Sequence, residues 1–258
     1  MLELLDSRQK LTIICLLSLS ILVCIIGLSF GSFQIELTKI FLGFGDPLQT
    51  EVLLNIRSPR VLLAAFVGAG LGISGAALQG LFRNPLADPA LIGVSAGAAF
   101  GAVSAIVLIN TGLSFLQLGS FLVPLAAIIG SLVVIGLIYI LTASFTNSGI
   151  LYMLLVGIAL NAISTVGIGF LTFISSDSQL RTLTFWMMGS FGSTSWELLL
   201  PAVVLIMVTI FILVSNARKL DIMQLGESEA SRIGIDVVKT RRTIIISTAV
   251  MIGICVSL

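Results

Sequence analysis

The sequence predicts an all-α fold: a polytopic transmembrane helical bundle with about seven spans. Of the 258 residues, 57% are hydrophobic and only 10% are charged, and the mean hydropathy is +1.18. Ordinary soluble domains carry about 25% charged residues. The charges are also bunched, and they are absent from 11–35, 61–82, 89–176 and 198–217. Each of these intervals is long enough for at least one helix of about 20 apolar residues to cross a bilayer.

Polar clusters, glycine and proline divide these intervals into individual helices. The long interval 89–176 contains two stretches rich in Ser, Thr, Asn and Gly, at 110–119 and 142–149, and therefore holds three spans. We expect membrane helices at 11–30, 61–81, 90–109, 120–143, 150–174 and 196–216, with a seventh that begins near 243.

The first apolar run follows Arg8 and Lys10, as the core of a signal peptide does. It is longer than such a core usually is, and no small-x-small cleavage pattern precedes the next polar stretch, so we interpret it as a retained first helix. Lys and Arg on alternate loops favour a cytoplasmic amino terminus, since nine would lie inside and four outside. The four outer residues are Lys39, Arg57, Arg60 and Arg181.

The predicted inner segment 217–242 is the most charged part of the chain, yet it keeps apolar residues at helical spacing. We expect short amphipathic helices, broken at Gly226 and Gly234, that lie on the membrane or dock into a soluble partner. The alternative is a solvated loop. In the predicted outer segment 180–195, aromatic residues indicate either an interfacial belt or a short re-entrant or surface helix.

Two rows of glycines lie at helical spacing, and each row shares one helix face. Their usual role is close helix packing, and the alternative is a lining for a substrate passage. The residues are Gly68 and Gly72 in one helix, and Gly93, Gly97 and Gly101 in the next.

The predicted spans contain no Asp, Glu, Lys or Arg near their centres, and the whole chain has no histidine. Proton relays, voltage sensors and ion-coupled transporters need buried ionisable groups, while metalloproteases and Ser/His hydrolases need histidine. We therefore expect no catalytic, cofactor-binding or metal-binding residues. Cys15, Cys24 and Cys255 lie in apolar runs without metal-ligand spacing, and a net charge of +1 argues against a nucleic-acid partner. A permease driven by a separate ATPase remains, with a structural or assembly membrane protein as the rival.

Several motifs, spread over essentially the whole chain, closely resemble the FecCD-type permeases, the membrane subunits of ATP-binding-cassette (ABC) importers for iron siderophores, haem and cobalamin. The matching segments are Arg57–Arg60, Gly75–Gln79, Arg83–Pro89, Leu91–Ser95, Gly97–Ala98, Gln179–Arg181, Phe185–Trp186, Gly189–Ser190, Leu225–Glu227, Ala230 and Ile233–Gly234.

The resemblance implies a homodimer of permeases in the bacterial inner membrane, bound to a cytoplasmic ATPase dimer that uses ATP, with a binding protein delivering ligand from outside. It implies that Arg57 and Arg60 meet acidic residues of that binding protein; capping of the second helix or contact with lipid head groups is the alternative. Within the single permease domain 1–258, segment 217–242 would couple to the ATPase. The residues implied in coupling are Leu225, Gly226, Glu227, Ala230, Arg232 and Gly234.

The turn with Arg83, Asn84, Pro85, Asp88 and Pro89 is typical of the family, and we expect its role to be structural. Proline ends helices, whereas Asn84 and Asp88 bond to local amides and cap the next helix. A direct contact with substrate is the alternative.

The amino-acid sequences of Ala90–Ser95 and of Gln179–Trp186 resemble those of the haem permeases of this family more than those of its siderophore or cobalamin permeases. With no histidine in these segments, haem would pass by shape and apolar contact. The resemblance also implies a BtuC-like fold of about ten spans, whereas the sequence reaches Leu258 within the predicted seventh. We therefore expect either a fragment or a truncated gene product.

Overall fold

The computed structural model describes residues 6–36, 39–40, 42, 46–108, 121–142, 149–192 and 194–257. Within these ranges every regular element is helical. In the described part, six helices are long and apolar enough to cross a membrane, and Val94–Leu108 is a shorter apolar helix. The predicted all-α transmembrane bundle is therefore confirmed.

The first helix, α1, spans Ser7–Ser29 and begins at a capping box. The carboxylate of Asp6 accepts a hydrogen bond from the Ser7 amide, and the Gln9 side chain accepts one from the Asp6 amide. No residue of α1 is buried within the chain. An apolar helix with no buried face is stable only where lipid or another protein covers it.

The second span begins earlier than its apolar pattern predicts. A short helix, α2, covers Pro47–Glu51, a π-helical stretch covers Val52–Arg57, and α3 follows over Ser58–Phe82. The carboxylate of Asp46 accepts from the Leu48 amide at 3.1 Å, and proline occupies the first turn. The expected loop up to residue 60 is therefore helical from Pro47 onward.

The next three helices agree with the predicted spans. A 3-10 turn at Pro89–Ile92 precedes α4, which covers Val94–Leu108 and begins after Gly93, whose φ is +76°. A left-handed backbone ends one helical segment, so α4 starts at Val94 rather than at 90. Helix α5 covers Leu122–Thr142, and α6 covers Gly149–Phe173.

A short helix, α7, covers Asp177–Met188 and begins at a capping box of Ser176 and Gln179. A short helix is therefore present in the segment whose aromatic residues indicate either an interfacial belt or a re-entrant or surface helix. Helix α8 covers Trp196–Ser215.

The charged segment forms two short helices, α9 at Ala217–Met223 and α10 at Glu227–Arg232. The predicted breaks are confirmed, because Gly226 has φ +127° and Gly234 has φ +94°. The last helix, α11, covers Val237–Ser257 and begins before residue 243. The Asp236 carboxylate accepts from the Lys239 amide at 2.9 Å, so a capped, charged first turn precedes the apolar run.

The chain divides into two compact units, residues 1–65 with 191–199, and residues 66–190 with 200–258. The first unit buries Leu53, Leu63 and Leu199. The second has a core drawn from α3, α5, α9, α10 and α11, in which the side chains of the following residues are at most 2% exposed: Leu78, Leu81, Ile138, Met223, Ala230, Ile244, Ile245 and Ile252. Helices α9 and α10 therefore pack one side, through Leu220, Met223 and Ala230, against the core of their unit.

Candidate functional site

Arg57 is buried, with 8% of its surface exposed. Its guanidinium donates to the carbonyls of Leu28 and Ser29 at 2.8 Å and to the carbonyl of Phe33. Leu28 and Ser29 lie in the last turn of α1, where carbonyls have no partner within the helix. Arg57, which the resemblance implies in docking to the binding protein, is therefore buried here and closes the end of α1.

Arg60 lies one turn further along and is exposed. Its guanidinium donates to the Gly192 carbonyl at 2.7 Å. Nearby in the same unit, the indole of Trp196 donates to the Leu54 carbonyl at 3.0 Å. Arg57 and Arg60 line one depression of about 340 Å³, with Gly27, Phe30, Gly31, Ser32, Phe33, Val52, Ile56 and Val61. Only Arg60 presents its charge at the surface.

The residues expected to couple to an ATPase separate into exposed and buried groups. Leu225 and Ile233 are 69% and 62% exposed, and the Arg232 side chain is 76% exposed and pairs with Glu229 at 2.9 Å. Ala230, which the resemblance implies in coupling, is fully buried within its own chain. Its methyl group faces the core, where it fixes the position of α10.

Two polar side chains of this segment contact membrane helices in the same unit. The Gln224 amide donates to the Gly80 carbonyl in α3 at 2.6 Å. The Glu227 carboxylate accepts from the guanidinium of Arg241 in α11. Glu227, which was expected to face a partner, is therefore engaged within its own chain.

The family-typical turn is held by its own side chains. Asn84 accepts from the Leu86 amide at 2.9 Å, and Asp88 accepts from the Ala90 amide at 2.6 Å and caps the 3-10 turn. Arg83 has φ +51° at the end of α3, and Pro85 is exposed. Pro89 occupies the first turn of the 3-10 helix. The geometry is that of the expected structural role.

The glycine row that runs from Gly93 into α4 lies against the backbones of α5 and α6. A Cβ on Gly97 would meet the Gly130 carbonyl at 2.8 Å, and one on Gly101 would overlap the Ala126 carbonyl. At Gly93 a Cβ would meet the Gly157 carbonyl at 2.9 Å. This row therefore permits close approach of three helices, as small residues do in membranes.

Gly68 and Gly72 differ from the α4 row, because a Cβ on either would meet nothing within 4 Å among the described residues. Both are exposed on α3.

An apolar cavity of about 500 Å³ lies between α4, α5 and α6, bordered by Gly97 and Gly101. Its remaining walls are mostly aliphatic, with hydroxyl groups from Ser104 and Ser164. Among the described residues, no group of three or more His, Cys, Asp or Glu is placed to hold a metal ion.

The sequence patterns did not predict three polar contacts. Each is made by a single amide side chain within an apolar or charged stretch. Asn161 in α6 donates to the Ala90 carbonyl at 3.1 Å, and Gln179 donates to the Val107 carbonyl at 2.8 Å. Gln224 is the third. An isolated amide in a hydrophobic helix is a signal for a backbone contact, since an unpaired amide in lipid is costly.

The sequence model of the FecCD transport family matches residues 18–258. The chain belongs to the FecCD transport family. This FecCD chain is 37% identical over 250 residues to the hemin transport system permease protein HmuU of Yersinia pestis, covering 97% of the chain and 74% of HmuU. It is 36% identical over 217 residues to the cobalamin import system permease protein BtuC of Halobacterium salinarum, covering 84% of the chain and 57% of that relative.

The fold of this FecCD chain matches a solved structure described as an inward-facing metal-chelate type ABC transporter. The TM-score is 0.81 at 29% identity, and the match covers 96% of this chain and 75% of the solved one. The agreement in both sequence and fold makes the chain a multi-pass permease of an ABC importer.

Proposed function

We propose that this FecCD permease carries haem into the cytoplasm, driven by ATP hydrolysis in a separate subunit. The observation that carries the proposal is the 37% identity to the hemin permease HmuU, which extends over 97% of the chain. Family membership favours transport over the structural or assembly role.

The chemistry of the apolar cavity fits a flat, largely hydrophobic ligand. The chain has no histidine to ligate iron, and the cavity between α4, α5 and α6 is lined mainly by aliphatic side chains and glycine, with Phe100 and two serines. A ligand in such a passage is held by shape and apolar contact and can leave again, because no strong iron ligand retains it. Gly97 and Gly101 at its border contribute both helix packing and space.

Cobalamin is the second candidate ligand, supported by 36% identity to BtuC of Halobacterium salinarum. A ferric siderophore is the third, because the matching solved structure is described as a metal-chelate type transporter. All three are bulky metal chelates, so uptake must be measured for each.

The test is uptake into vesicles that contain the permease with its ATPase and binding protein. Haem, a ferric siderophore and cobalamin are supplied separately, with ATP on the ATPase side. We expect haem alone to accumulate, and only with ATP; an ATPase unable to hydrolyse ATP is the control. Accumulation of cobalamin or siderophore without haem would contradict the haem assignment.

We propose Arg60 as the docking residue for acidic groups of the binding protein, with Arg57 as the residue that positions the surface around it. Arg60 is exposed and keeps donors beyond its bond to Gly192, whereas Arg57 is buried and bonded to three carbonyls. Exposed arginines form bidentate contacts with carboxylates and speed encounter.

We also propose that two copies of the permease stand on an ATPase dimer, which contacts the exposed residues of segment 217–242. Leu225, Arg232 and Ile233 supply that exposed surface. The excess of Lys and Arg in this segment, together with Arg8 and Lys10 at the start of α1, supports a cytoplasmic amino terminus.

A further inference from the structure

We propose that Gln224 and Glu227 form a two-point anchor that joins the coupling segment to two different membrane helices, α3 and α11. The proposal rests on the proposed function, in which segment 217–242 receives movement from the ATPase. The anchor makes Gln224, Glu227 and Arg241 positioning residues for transport. It assigns each a role inside the permease instead of at the ATPase surface.

The first contact joins α9 to the end of α3. The Gln224 amide donates to the Gly80 carbonyl at 2.6 Å, and more weakly to Leu220 at 3.3 Å. Gly80 lies in the last turn of α3, where carbonyls lack regular helical donors, and the Arg83 amide reaches it only at 3.4 Å. Gln224 therefore supplies the shorter of the two hydrogen bonds to that carbonyl.

The second contact joins α10 to α11. The Glu227 carboxylate pairs with the Arg241 guanidinium, and the Arg241 side chain is only 16% exposed. The Nε of Arg241 is buried without a partner in the described part of the chain. The Glu227 carboxylate is therefore the charge that compensates a mostly buried guanidinium, and its loss would leave that guanidinium uncompensated.

The two contacts flank a single turn. Gln224 and Glu227 stand on either side of Gly226, whose φ of +127° separates α9 from α10. Apolar packing supports them, because Met223 and Ala230 belong to the same core as residues of α3 and α11. A displacement of α10 must therefore move the ends of both membrane helices or break one of the contacts.

The neighbouring Glu229–Arg232 pair provides a matched control. It lies on the same helix, has ordinary pair geometry at 2.9 Å, and is largely exposed at both side chains. It joins α10 only to itself, so breaking it removes an equal charge without detaching the helix.

Hydrogen exchange of the isolated permease in detergent tests the anchor without any partner. We expect Glu227→Gln to make the amides of 228–234 exchange about fivefold faster or more, whereas Glu229→Gln leaves them unchanged. Gln224→Leu should act similarly on 220–226. The reversed pair, Glu227→Arg with Arg241→Glu, should restore protection. Unchanged exchange in Glu227→Gln, or no restoration by the reversed pair, would overturn the proposal.

A second measurement separates anchoring from general stability. In vesicles with the ATPase, we expect Glu227→Gln to keep ATP hydrolysis but to raise the ATP consumed per ligand transported, and the reversed pair to lower it again. A ratio equal to that of the unmodified permease would overturn the anchor. Failure of the unmodified permease to transport any of the three ligands when ATP and the ATPase are present would instead contradict the proposed function, and the exchange result would stand by itself.

Discussion

Arg57 and Arg60 have the same side chain, one helical turn apart, but different surroundings. Arg57 closes the end of α1 through three carbonyls, while Arg60 is exposed and donates to Gly192. The sequence placed both at the start of a span but did not separate their roles, because burial of Arg57 depends on a helix that ends almost thirty residues earlier.

Replacing these arginines should therefore give opposite phenotypes. We expect Arg57→Gln to lower the free energy of unfolding by about 2 kcal/mol, because the charge-assisted bonds from a buried guanidinium to three carbonyls are lost. Arg60→Gln should change it by less than about 0.5 kcal/mol yet weaken binding of the binding protein. Thermal unfolding in detergent and a docking titration measure the two effects. Equal destabilisation by both would contradict the assignment.

The glycine rows also show that spacing in the sequence does not by itself reveal which residues pack against another helix. Gly97 and Gly101 lie against backbone, as small-residue rows predict, whereas Gly68 and Gly72 have the same spacing and meet nothing within 4 Å. Spacing identifies a shared helix face, but only the fold shows whether another helix covers it.

Substitution by alanine distinguishes these two glycine rows. Gly101→Ala places a Cβ against the Ala126 carbonyl, and we expect a loss of about 1–3 kcal/mol in the free energy of unfolding. Gly68→Ala, in open space, should be neutral or slightly stabilising. Thermal unfolding of the two variants side by side provides the measurement. A neutral Gly101→Ala would show that α4 and α5 are less closely packed than described.

At the scale of elements, the long apolar runs predicted the membrane helices well, because span length and hydropathy are set by the bilayer. The first residues of these helices were harder to predict. Helical structure before α3 begins at Pro47 after the Asp46 cap, and α11 begins at Val237 after Asp236, within a charged stretch. Both capping residues can be recognised in the sequence, but the polar residues that follow them have a composition typical of loops. The 3-10 turn before α4 depends on Gly93, whose φ no pattern indicates.

The ends of α10 depend on glycine conformation, which gives an element-scale prediction. Gly234→Ala must adopt φ near +94°, so we expect α10 to lose about 1–2 kcal/mol of local stability. Gly136→Ala, in α5 with open space around it, is the matched control and should be neutral. Hydrogen exchange of residues 227–235 measures the difference, and equal exchange in both variants would contradict a left-handed requirement at Gly234.

At the scale of the whole molecule, the FecCD motifs and the six long apolar helices agree on a membrane permease. The motifs led to the family directly, since they extend along essentially the whole chain. The contacts of Gln224 and Glu227 could not be predicted from the sequence. The partner of Gln224, Gly80, lies in a helix distant in sequence, and Arg241 is one of several nearby arginines that could have paired with Glu227. These two contacts connect the proposed coupling segment to α3 and α11 within its unit.

The most direct test of the account is the accessibility of Leu225, which is 69% exposed on the proposed ATPase surface. A Leu225→Cys variant, with Cys15, Cys24 and Cys255 changed to alanine, is labelled with a membrane-impermeant maleimide. We predict labelling in inside-out vesicles, none in right-side-out vesicles, and protection when the ATPase is bound. Labelling only from the outside, or no protection by the bound ATPase, would contradict the claim that this segment is the cytoplasmic contact through which transport is driven.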